Sequence, residues 1–260
     1  MDRKLLKSQA KDLIRTSDPK PVYFTIIYLV IIAVFSFLSY KIVGNSYETI
    51  SLMLREDVNG YYVDPDQLYY AMQAAMPTPL ESLLSLAIQL VTTVLGAGFI
   101  IFALRTVSHS GASNWNILDG FGMFFRIIWL YILEGVFVFL WSLLLFFPGI
   151  IALYRYRMAI YLVLEHPEMS ALQCISESKR LMKGHKWELF CFDFSFIGWA
   201  LLVGVVDYIG VKLGIPYISL GLLVQIYFLP YYELTLAGYY KQLTAPAADP
   251  DPFNGWTPEL

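Results

Sequence analysis

Seven ionisable side chains stand inside stretches otherwise apolar enough to cross a membrane: Arg126, Glu134, Arg155, Arg157, Asp193, Asp207 and Glu233. A charge at such depth costs roughly 2.5–3.5 kcal/mol on insertion scales, so it faces a bundle interior or water and seeks a partner. Two chemistries are open to such a set. Buried pairs can fix helix register, or an arginine can snorkel from a short span, and that structural role is the favoured expectation. The alternative is a polar cavity or relay through which a solute or ion moves.

Arg155 and Arg157 sit in FFPGIIALYRYRMAIYLVLEHP, residues 146–167. At about 1.5 Å per residue from an outer turn at Pro148-Gly149, they lie about 9 and about 12 Å deep. Positions two apart on a helix are separated by about 200°, so the two cannot share a face. Glu134, about 21 Å deep by the same count, is within stretched reach of Arg157, and the turn makes their helices antiparallel neighbours. Asp207 is nearer in depth to Arg155. Asp193 and Glu233 fall toward the opposite side, where Arg126 is expected.

The elements that must position these groups read as an all-α, polytopic membrane bundle. The chain has 260 residues, 57% of them hydrophobic and 15% charged, with a mean hydropathy of +0.56. A soluble domain usually carries about 25% charged residues. Apolar runs predict six transmembrane helices, at 22–40, 81–104, 121–147, 150–164, 188–209 and 217–240, within a single domain 1–245. Gly96, Ala97 and Gly98 suit close helix packing, and Pro230 is a candidate kink. The first run exceeds a signal core and is followed by no A-x-A site, so it reads as a span. The loop 41–80 is acidic and poor in Lys and Arg, and its Asp64-Pro65 looks like a helix start. The Pro-rich tail 246–260 is expected to be disordered and cytoplasmic.

Two basic amphipathic segments set the orientation. In the N-terminal helix 3–16, Leu5, Leu6, Gln9, Ala10, Leu13 and Ile14 share one face, with Lys4, Lys7, Lys11 and Arg15 on the other. In helix 170–183, capped by Ser170 and ended by Gly184, the apolar side is Leu172, Ile175, Leu181 and Met182, followed or flanked by Lys179, Arg180, Lys183 and Lys186. If 150–164 crosses, all Lys/Arg-rich segments fall on the cytoplasmic side, with both termini. Both helices are then expected to lie on an anionic leaflet.

Cys174 and Cys191 form no CxxC pair, and His109, His166 and His185 show no ligand spacing, so no disulfide framework, metal or other cofactor is expected. No phosphate-cradling Gly loop, HExxH or GxSxG motif appears, and the chain is not expected to be an enzyme.

FFPGI, an aromatic-rich helix and VLEHPEMSALQCISESKRLMKGHKWELF together resemble the DUF975 family of bacterial integral membrane proteins. The KLLKSQAKDLI helix and the long first loop are similar as well. The strongest part is PGI followed by an A-x-x-x-S-x-x-L-x-x-G pattern. Ala171, Ser178, Leu181 and Gly184 meet it here with the alanine seven rather than four residues before the serine. Phe147 replaces the first Pro of a frequent F-P-P-G-I. The layout is also similar to membrane domains attached to some glycerophosphodiester phosphodiesterases. The resemblance implies a multi-pass protein of the bacterial inner membrane and transfers no catalytic residues. The expected function is a non-catalytic scaffold, partner or modulator at the envelope; the alternative is a transporter of small solutes or ions. The bilayer, its anionic lipids and another membrane protein are the expected partners, and nucleic acid is not.

Overall fold

The computed structural model describes residues 3–58, 66, 69–70, 73, 76–144, 146–213 and 220–245. The tail 246–260 and most of the segment 59–75, with its Asp64-Pro65 start, lie outside the described residues. Every regular element among the described residues is helical.

In chain order the helices are α1 (Arg3–Thr16), α2 (Pro21–Val58), α3 (Pro79–Val107), the single turn α4 (Asn116–Asp119) running into a 3-10 turn at Gly120–Met123, and α5 (Phe124–Leu144). There follow α6 (Phe146–Tyr156), α7 (Ala159–Glu165), α8 (Ala171–Leu181), α9 (Lys186–Phe194), α10 (Ile197–Lys212) and α11 (Gly221–Thr244). Five stretches are long and apolar enough to cross a membrane: Pro21–Ile42, Pro79–Val107, Asn116–Leu143, Phe147–Glu165 and Lys186–Gly210. Together they give an all-helical fold with five candidate membrane spans. The sixth expected span corresponds to α11, which is not among the five: Gln225, Glu233 and its tyrosines dilute its apolar residues. Helix α2 also continues past residue 40 to Val58, well into the segment expected as loop.

Local chemistry sets the helix ends. Thr78 and Glu81 form a reciprocal capping box at the start of α3, with Pro79 in the first turn, an arrangement worth about 1 kcal/mol. Ser170 and Gln173 do the same for α8, and Gly184, at φ +90°, follows its end. Pro148 and Gly149 do not form the α5–α6 turn itself; they lie in the first turns of α6, where a proline displaces no helical hydrogen bond. A Cβ at Gly149 would overlap Ser142 of α5, so the glycine allows the two antiparallel helices to close up.

Gly98 has the same use in α3. A Cβ there would collide with the carbonyl of Ile117, which is how the 116–123 segment lies tight against the helix. Beside it, Phe24 of α2 stacks on Phe102 with ring centroids 3.9 Å apart and meets Phe99 edge-on.

The span 147–165 is the centre of the bundle: 56% of it is buried, against 11–44% in the other four. It is also interrupted. Helix α6 ends at Tyr156, α7 starts at Ala159, and Arg157 and Met158 form a turn between them. Ser178 of α8 splices the break, accepting from the Met158 N–H at 3.2 Å and donating to the Arg155 carbonyl at 2.8 Å. The span 186–210 is broken in the same way at Ser195-Phe196, between α9 and α10.

Neither basic helix lies apart from the bundle. Helix α1 buries Leu6, Ala10 and Ile14 and packs on α11, with Leu6 against Gly238. Helix α8 packs on α5, α6 and α7. It does so through Ala171, Cys174, Ile175, Ser178 and the following Met182, while Leu172 is 55% exposed. The buried stripe is therefore built largely of small side chains, which let α8 approach the broken span closely. Large apolar residues make up only two of its five positions, Ile175 and Met182.

Candidate functional site: an intramembrane polar cavity

The α6–α7 break places Arg157 where no regular helix face would. Its side chain is exposed at a cavity of about 610 Å³ lined by residues of α3, α5, α6, α7, α9 and α11. Arg157 Nη2 donates to the Tyr232 hydroxyl at 2.7 Å, and that hydroxyl donates to Asp193 Oδ1 at 2.9 Å. A three-residue chain thus runs from the broken span through α11 to α9. Tyr232 is held by packing against Phe192 and Phe196, the latter edge-on with centroids 5.3 Å apart.

Glu134 and Glu233 line the same cavity, together with Tyr131, Tyr154, Tyr156 and Tyr161. The cavity wall therefore carries three carboxylates and one guanidinium. Glu134 does not pair with Arg157 as depth alone implies. Among the described residues it forms no ion pair, and its Oε1 is buried without a hydrogen-bond partner.

The remaining intramembrane charges do other work. The guanidinium of Arg155 lies over the Trp141 ring of α5 at 5.8 Å, so the two arginines do point to different neighbours. Asp207 accepts from the Gly221 N–H at 2.7 Å and caps the start of α11 rather than meeting Arg155. Arg126 is not beside Asp193 or Glu233. It donates to the carbonyls of Met169 at 2.6 Å and His166 at 3.1 Å, clamping the loop between α7 and α8.

The basic residues divide. Lys7 donates to the Ser195 hydroxyl at 2.7 Å and to its carbonyl at 3.3 Å, satisfying the C-terminal end of α9, and stands 4.1 Å over the Phe196 ring. Burial, with Arg3 and Lys11 close by, lowers its pKa. Lys11 faces the Tyr231 ring and Lys179 the rings of Phe137 and Tyr156. Arg180 pairs with Glu177, whose carboxyl is pulled below its usual range by that hydrogen bond. Lys4, Arg15 and Lys183 are exposed and Lys186 is half-exposed.

Sequence reasoning found Arg157, Glu134, Asp193 and Glu233 but missed two residues. Tyr232 carries the link between Arg157 and Asp193, and its only signal was its place next to Glu233. Ser178 carries the splice; it appeared as a motif position with no assigned role.

Residues 143–247 match the model of a family described as "Protein of unknown function (DUF975)". That region holds Arg157, Ser178, Asp193, Tyr232 and Glu233, whereas Glu134 stands before it. No curated protein and no solved structure is similar enough to match the chain. The likeness of layout to phosphodiesterase-associated membrane domains gains no support from them.

Proposed function

We propose that this chain, a DUF975 protein over residues 143–247, is a multi-pass protein of the bacterial cytoplasmic membrane that takes a small polar solute into the cavity around Arg157 and passes it across the bilayer. The observation that carries the proposal is the cavity itself. Its volume of about 610 Å³ falls within the roughly 300–1,000 Å³ of small-molecule sites. Charged residues at membrane depth that face such a space mark solute or ion pathways more readily than ones locked in a dry core.

Two features of the surrounding helices support this reading. The spans 147–165 and 186–210 are both discontinuous, and irregular backbone at membrane depth is tolerated where it lines a cavity. Arg157 lies in one break, and Asp193 is two residues before the other. Discontinuous helices flanking a midplane site are the arrangement on which alternating access operates. The scaffold alternative rests on two basic helices contacting anionic lipid on one leaflet; α1 and α8 place Leu6, Ala10, Ile14, Cys174 and Ile175, with Lys7 and Lys179, against the bundle and keep Leu5 and Leu172 exposed. Arg15, Lys183 and Lys186 are left to contact anionic headgroups at that end.

Gly135 lines the cavity and has open space where a side chain would go, so Gly135→Cys tests the proposal. In oriented vesicles it should react with a membrane-impermeant thiol reagent from both sides, above the background of the buried Cys174 and half-buried Cys191. Reaction from one side only would reduce the site to a binding pocket. No reaction from either side would end the solute reading.

A further inference from the structure

We infer that the solute is an organic cation carrying an ammonium group, an inference that rests on the solute reading above. The cavity wall juxtaposes two carboxylates outside the arginine chain, Glu134 and Glu233, with the rings of four tyrosines.

Charge decides against the other classes. Arg157 gives one N–H group to Tyr232, which in turn donates to Asp193, so three wall carboxylates face a single guanidinium. An anion would have that one guanidinium to bind and three carboxylates to repel it. A neutral polyol could meet the carboxyl oxygens only through its hydroxyl hydrogens and would do nothing to balance the excess of carboxyl groups over guanidinium in the wall. An ammonium offers three donors and no acceptor, and the buried Glu134 Oε1, which has no partner, is an acceptor of the matching kind.

Shape and spacing narrow the cation. Among the described residues no three His, Cys, Asp or Glu side chains converge as metal ligands. A bare metal ion would find no such cage here, whereas an ammonium needs only single acceptors for its N–H groups. The Tyr131 ring, exposed where it lines the cavity, can meet the alkyl part of such a ligand and, through the ring quadrupole, its charge.

The test uses the full chain in bilayer nanodiscs of zwitterionic lipid, with the alkylation rate of Gly135→Cys as the readout. Putrescine and tetramethylammonium should slow alkylation in a dose-dependent way, and sodium acetate and glucose should not. Adding Glu134→Gln should weaken protection by putrescine by roughly tenfold, the effect of losing one charge-assisted hydrogen bond. If that variant does not fold, Glu134→Asp, which keeps the charge but shortens its reach, should give a smaller loss. Protection by acetate or glucose without protection by either ammonium overturns the cation inference while leaving the solute reading intact. Equal protection in wild type and both Glu134 variants also overturns it. A Gly135→Cys thiol that does not react at all removes both.

Discussion

Arg157 and Tyr232 meet at 2.7 Å across two helices far apart in sequence, and Asp193 completes the chain. Truncating one member leaves a donor or acceptor without its mate at membrane depth. Arg157→Gln and Tyr232→Phe should each lower thermal stability in detergent. A double-mutant cycle should give a coupling of about 1–2 kcal/mol between them, in the range of a hydrogen bond to a charged group. The same cycle on Arg157 and Glu134 should give a smaller coupling. The sequence made Arg157 conspicuous because a charge in an apolar run has few innocent explanations. Its partner was not legible, because depth fixes one coordinate and the azimuth depends on a helix break that no residue type announces. Tyrosine added to the difficulty: in a chain with nineteen of them, most are taken for interfacial belt residues.

The broken span and the helix that repairs it form a unit at the scale of elements. Helix α8 brings Ser178 to the turn, where its hydroxyl serves as both acceptor and donor. Ser178→Ala should leave the Met158 N–H and the Arg155 carbonyl unsatisfied and cost about 1–3 kcal/mol for each group left buried, measured by denaturant or thermal unfolding. Arg180→Gln, on the exposed side of the same helix, removes only a surface pair with Glu177 and should change stability by no more than about 0.5 kcal/mol. Both ends of α8 were legible: Ser170 as cap and Gly184 as terminator follow from side-chain chemistry and positive φ. Its environment was not. A basic amphipathic pattern is common to helices that lie on lipid and helices that pack by a stripe of small residues, and Ala171 and Ser178, conspicuous only as motif positions, show their packing role with Cys174 once their neighbour is seen.

For the whole molecule, composition was enough to establish a helical membrane bundle, because run length is a direct consequence of bilayer thickness. The number of crossings is less direct, since α11 carries Gln225, Glu233 and several tyrosines that its buried position makes tolerable. If α11 crosses, Ala245 and Lys183 share a side and Met76 lies opposite. Membrane-impermeant labelling of Met76→Cys, Lys183→Cys and Ala245→Cys should therefore sort the last two together. Sorting of Ala245 with Met76 would mean five crossings.

Whether the space around Arg157 is wet and polar is measured most directly by a spin label. A nitroxide at Gly135→Cys, compared with one at Leu201→Cys on the exposed apolar face of α10, can be read by power saturation against a polar nickel chelate and against oxygen. The label at 135 should collide more readily with the chelate than with oxygen, and the label at 201 should show the reverse. An oxygen-rich, chelate-poor signal at 135 matching that at 201 would contradict the account.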